Sequence, residues 1–182
     1  MKFPDAASSV LCVIDIQEKL VPSISAFDTV LPRQQLMLRA AAELKLRTIV
    51  NEQYPKGLGN TIGPVKELLQ ADWPIIEKSS FSAFGSDTFR TELAKVTAKS
   101  LVIMGIETHV CVQQTALDAL NSGQEVFVLA DATGSRNDSD KALSIDFMRS
   151  KGINVTSVES FLFMLMKNSG HPAFKAVSKF LR

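Results

Sequence analysis

Short runs of β-branched and other apolar residues alternate along the chain with stretches of helical period. SVLCVID (9–15), RTIVNE (47–52), WPIIEK (73–78), SLVIMGI (100–106), EVFVLAD (125–131) and INVTSV (153–158) read as strands, most of them apolar on both faces. Between them, TVLPRQQLMLRAAAEL (29–44) has an amphipathic helical pattern. Further helices are predicted from about Ser86 to Val96, with Ser86 and Asp87 as capping candidates, over 109–122 before Gly123, and over 139–150 before Gly152. Strands buried on both sides and joined through helices predict an α/β chain. The expected fold is three-layered and Rossmann-like, with a six-stranded, mostly parallel sheet and helices on both faces. Two halves of three strands suit the order 3-2-1-4-5-6, which opens a ligand crevice between the carboxyl ends of the first and fourth strands.

The segment SFLFMLMKN (160–168) is apolar nearly all round, unlike a surface helix with one polar face. It reads either as a packed terminal helix or as a subunit interface, so a homo-oligomer is one expectation. The 182 residues contain no low-complexity run or Pro/Ser/Gly-rich linker, and a single domain over 1–182 is expected. Lys and Arg number 20 against 19 Asp and Glu, so bulk charge draws the chain to neither nucleic acid nor a membrane surface. A small-molecule partner is the expectation. MKFPDAASSV has no signal-peptide pattern, and no run of about 18 apolar residues occurs, which together predict a cytoplasmic location. Cys12 and Cys111 form no CxxC or Cys/His cluster and are expected to be free thiols.

The predicted topology brings three reactive side chains toward one crevice. Asp15 ends the first strand, Lys78 closes the third, and Cys111 follows the fourth. Gly105 permits a sharp backbone turn, after which Cys111 falls in the first turn of the helix expected near His109 or Val110. Amide N–H groups and the helix dipole there would lower the thiol pKa below about 8.5. A small buried apolar residue is the other reading of a cysteine, and it suits Cys12 in mid-strand better. Lys78, two strand positions from Asp15, has about 10 Å to cover at roughly 4.8 Å per strand.

Asp15 in VIDIQ, Lys78 leading into SAF, and the G-x-x-T-x-x-C-V stretch of Gly105, Thr108, Cys111 and Val112 resemble the isochorismatase-like cysteine hydrolase superfamily, over nearly the whole chain. The resemblance implies a triad in which Cys111 attacks, Asp15 shuttles the proton and Lys78 supports the charged state. It also implies a cis peptide between Ile106 and Glu107, with the backbone N–H groups of Glu107 and Cys111 as oxyanion hole. Nicotinamidases of this superfamily carry an Asp-x-His metal motif where this chain reads NEQYPKG, so no metal is expected; Glu52 alone is no ligand set. No cofactor is expected either, since GLGN (57–60) lacks the strand-to-helix context of a nucleotide loop.

True isochorismatases generally lack the cysteine, and its presence points to cleavage of a small amide or ureide C–N bond through a thioester. Vinyl ether hydrolysis of the isochorismatase type and a non-enzymatic small-molecule binder are the alternatives. Tyr54, Phe81 and Phe84 are candidate substrate contacts. His109 is not expected to pair with Cys111, because residues at i and i+2 diverge on a helix. His171 reads as exposed or capping, and Asp131 as loop-ordering.

Overall fold

The computed structural model describes residues 3–181. Its six strands are β1 (Ser9–Ile14), β2 (Arg47–Gln53), β3 (Ile75–Lys78), β4 (Ser100–Ile106), β5 (Glu125–Gly134) and β6 (Asn154–Thr156). They form one sheet in the order β3-β2-β1-β4-β5-β6, and every pairing is parallel. The expected fold class and strand order are both present. The helices are α1 (Phe27–Glu43), α2 (Pro55–Leu58), α3 (Gly63–Lys66), α4 (Asp87–Ala94), α5 (Gln113–Asn121), α6 (Asp138–Ser150), α7 (Val158–Met166) and α8 (Phe174–Phe180).

Side-chain alternation along the strands separates two cores. Leu11 and Val13 of β1 face a cluster with Met37 and Leu38 of α1, Phe161 and Leu162 of α7, and Val177 of α8. Val10, Cys12 and Ile14 face the opposite cluster, with Phe89 of α4, Ala116 of α5 and Ile145 of α6. Period-two alternation thus puts successive residues of one strand into different layers. The apolar segment near residue 160 is α7, which buries Val158, Phe161, Leu162, Leu165 and Met166 and leaves Phe163 exposed. Most of its apolar surface belongs to this chain's own core.

Several local features differ from expectation. The helix expected over 109–122 is divided into a π-helical turn at Thr108–Val112 and then α5. β5 runs to Gly134 because the pairing with β4 shifts: Ile103 faces Val128, but Gly105 faces Thr133. The bulge carries Asp131, whose Oδ1 accepts from Val158 N at 2.8 Å at the start of α7. Asp131 thus lies within β5 and ties it to the start of α7, instead of ordering a loop after the strand. The turns α2 and α3 and the short α8 have too few residues to impose a visible helical period.

Candidate active site

The carboxyl ends of β3, β2, β1 and β4 lie side by side along one edge of the sheet. Asp15 directly follows β1 and adopts a positive φ of 52°, turning the chain away from the strand direction. β4 approaches β1 so closely here that a Cβ on Gly105, whose φ is +122°, would lie 2.0 Å from Ile14 O. Glycine is required by both the backbone conformation and the contact. The next peptide, Ile106–Glu107, is cis, as the resemblance implied.

Lys78 bridges the strand gap. Its Nζ donates to Asp15 Oδ2 at 2.7 Å, and both side chains are wholly buried. The same ammonium donates to Gln53 Oε1 at 2.7 Å and to the Phe81 and Ser80 carbonyls at 3.1 and 3.3 Å. Gln53 ends β2, between β1 and β3, and is Lys78's register partner. That position makes it the natural neutral acceptor for the cation. Gln53 is itself fixed: its Nε2 donates to Ser79 O, its N–H donates to Gln17 Oε1, and its carbonyl accepts from Gln17 Nε2.

Cys111 lies in the π-helical turn, buried to 7% exposure, within interaction range of the Asp15 carboxylate. Asp15 Oδ2 is taken by Lys78, and Oδ1 makes no hydrogen bond among the described residues. Burial raises the Asp15 pKa above its ordinary 3.8 and outweighs the opposing pull of Lys78. Burial also pushes the Cys111 thiol up to about 12, with Asp15's charge raising it further and Lys78 acting the other way. The expected depressed thiol pKa is thus corrected: desolvation and the neighbouring carboxylate outweigh the helix-end amides. Cys12 is fully buried beneath the site, receives Asn51 Nδ2 at 3.4 Å, and is pushed up chiefly by burial.

A cavity of about 120 Å³ opens beside Cys111, walled by Leu20, Leu58, Phe81, Ile106 and Val110. Gln53 and Glu107 supply its polar edge. Of the aromatic candidates, only Phe81 borders it. Phe84 stands edge-on to Phe89 at a centroid distance of 5.3 Å and lines a separate groove with Arg90 and Leu93. Tyr54 is exposed, folded over Gly57, and lines a shallow depression with Glu77 and Ser79. Proximity in sequence to Lys78 did not determine where these rings point.

Leu20 and Leu58 come from two loops that pair with each other and that sequence reasoning did not identify. Gln17 bridges to Thr61, Lys19 N donates to Leu58 O, and Gln17 Nε2 donates to Gly59 O at 2.7 Å. Glu52 holds the second loop by accepting from the N–H and hydroxyl of Thr61 at 2.6 and 2.7 Å. Among the described residues, no group of three His, Cys, Asp or Glu side chains is placed to hold a metal.

The Glu107 carboxylate is held by Arg136, whose N and Nε both donate to Oε2 at 3.0 Å. Its N–H has no acceptor among the described residues. His109 Nδ1 lies 2.9 Å from Ser135 Oγ, so its hydrogen-bonding partner is not Cys111. His171 Nδ1 accepts from Ala173 N at 3.1 Å in the turn before α8, whose N-terminal end has no side-chain cap. No helix among the described residues is long and apolar enough to cross a membrane.

Known proteins resemble this chain over most of its length. Isochorismatase domain-containing protein 1 of Salmo salar is 38% identical over 176 residues, which cover 97% of this chain and 62% of that protein. The chain thus spans less than two thirds of this curated relative. A solved structure described as the MAR1 ribonuclease of Caenorhabditis elegans superposes with a TM-score of 0.93 at 36% identity, covering 98% of this chain and 91% of that one. The YcaC gene product of Escherichia coli, described as an octameric hydrolase of unknown specificity, shares the fold with a TM-score of 0.92 at 22% identity, covering 98% and 88%. Residues 9–160 match the Isochorismatase domain, and the chain belongs to the isochorismatase family.

Proposed function

We propose that this protein is a cysteine hydrolase that cleaves the C–N bond of a small amide or ureide, with Asp15, Lys78 and Cys111 as its catalytic residues. The observation that carries this reading is the buried Lys78–Asp15 pair beside Cys111, which itself lines a cavity. A buried ion pair is a poor source of stability, so its presence at a concave site favours a chemical role.

Burial raises the Cys111 pKa, so the resting state holds a neutral thiol beside the Asp15 carboxylate that is paired with Lys78. As Cys111 Sγ bonds to the carbonyl carbon, its proton passes to Asp15 and the carbonyl π pair moves to oxygen. The N–H groups of Glu107 and Cys111 receive that oxyanion. Collapse breaks the C–N bond, Asp15 returns the proton to the departing nitrogen, and a thioester remains. Water then attacks, giving its proton to Asp15, and the expelled thiolate regains that proton. The Lys78 ammonium opposes the effect of burial on Asp15 and so favours its ionised form. A reducing compartment, such as the cytoplasm, would maintain the required thiol.

The cysteine beside this pair favours acyl transfer over vinyl ether hydrolysis, which needs no nucleophilic thiol. It also favours an enzyme over a binder, because binding alone does not call for a buried acid, base and thiol together. The small apolar cavity gives no support to RNA as substrate. Homo-oligomerisation belongs to the same reading: Tyr54 and Ile75 are 59% and 46% exposed around the edge strand β3. Light scattering that returns the monomer mass at micromolar concentration would argue against it.

The decisive experiment is turnover of an amide and ureide panel by wild type and Cys111→Ala, with intact-mass detection of a hydroxylamine-labile acyl adduct. Loss of both turnover and adduct in the variant is expected. Turnover that survives in Cys111→Ala excludes this mechanism.

A further inference from the structure

We infer that the cavity beside Cys111 selects electrically neutral substrates with a short apolar acyl group and rejects those bearing a carboxylate. The inference rests on Cys111 as nucleophile and narrows what that nucleophile meets.

Three observations converge. First, the wall is aliphatic or aromatic on most sides: Leu20, Leu58, Phe81, Ile106 and Val110. Second, every formal charge at the site already has a partner. Lys78 donates to Asp15 and to three neutral oxygens, and Glu107 is held by Arg136 through two N–H groups. Lys19, in the loop that supplies Leu20, is tied to Gly57 O at 2.8 Å. An entering carboxylate would therefore lose its hydration without gaining a cation. Third, the cavity is small, about 120 Å³, which suits a short acyl group.

The nearest negative charges, Asp15 and Glu107, add repulsion to the desolvation cost. The polar Gln53 edge accommodates a carbonyl or amide dipole without demanding charge. Phe81 is 54% exposed while bordering the cavity, so its position is where a substitution could introduce a cation with little packing loss.

The test compares iodoacetamide with iodoacetate, a neutral and an anionic reagent of nearly equal size. Alkylation of Cys111 is followed by peptide mass spectrometry, and each rate is divided by that of glutathione at the same pH. The normalised preference for iodoacetamide should reach about 30-fold or more, the scale of leaving a buried charge unpaired. Phe81→Lys should narrow that preference at least fivefold, on the order expected for a partly exposed charge. Equal normalised rates in the wild type, or a preference untouched by Phe81→Lys, would overturn the inference. Cys111 that resists both reagents in the native protein, yet labels in urea, would instead sink the nucleophile on which the inference depends.

Discussion

Replacing Lys78 by methionine removes a charge while keeping much of its length, and leaves the Asp15 carboxylate fully buried without its counter-ion. Four donated contacts disappear together, two of them at 2.7 Å. Removing one partner of a buried ion pair costs about 3–5 kcal/mol, because the survivor stays desolvated. Against a total stability of about 5–15 kcal/mol, the variant should fold but unfold early in urea. With an m-value of about 2 kcal/mol/M, the midpoint falls by roughly 1.5–2.5 M.

The pH dependence separates this cause from a simple packing loss. Asp15's folded pKa lies above its ordinary 3.8 even with Lys78 present. The contribution of such a group is fully present below the unfolded pKa and is lost as pH rises through the folded one. Removing Lys78 takes away the strongest influence lowering the Asp15 pKa, so this loss extends further toward neutral pH. The stability gap between wild type and Lys78→Met should therefore be widest near pH ~8 and shrink toward about pH 4, as Asp15 is protonated in both. The double variant Asp15→Asn/Lys78→Met, which buries no charge at this pair, should recover most of the gap. Urea titrations across this range check both points. A gap constant with pH, or a double variant no more stable than Lys78→Met, would refute the reasoning.

Asp15→Asn should abolish turnover yet speed Cys111 alkylation near pH ~9, because the carboxylate helps hold the thiol up to about 12; an unchanged or slower alkylation rate would contradict that cause. Gln53→Leu removes a neutral acceptor from the Lys78 ammonium and should lower kcat more than KM, with a stability loss of about 1–3 kcal/mol in urea. An unchanged kcat would show that Lys78 is positioned without it. Gly105→Ala places a methyl 2.0 Å from a backbone oxygen at φ +122° and should cost about 4 kcal/mol or more, read as lost soluble yield or an early urea transition. A loss under about 1 kcal/mol would mean that β1 and β4 can separate freely.

The strand order was legible in the sequence because it depends on local periodicity and on chain-connection rules that admit few topologies. Once β1, β3 and β4 were recognised, the placement of Asp15, Lys78 and Cys111 at strand ends followed from residue positions alone. The bulge in β5 and the π-helical turn at Thr108–Val112 left no periodic signature. Gln53 was in view within NEQYPKG, but its role arises from the β2–β3 register, which sets it opposite Lys78.

What tertiary structure alone decided was the environment of the reactive groups. Leu20 and Leu58 reach the cavity because the loops of Gln17 and Thr61 pair, whereas Phe84 turns to Phe89 and Tyr54 to Gly57. The thiol's pKa followed the same logic. Position near a helix start predicts stabilised thiolate, but desolvation and charge depend on atoms brought in from distant segments, and these reverse the direction for Cys111. Sequence can place a nucleophile at a strand end; burial and its neighbours set its proton affinity, because electrostatic energy depends on distance in space and on the dielectric around the charge.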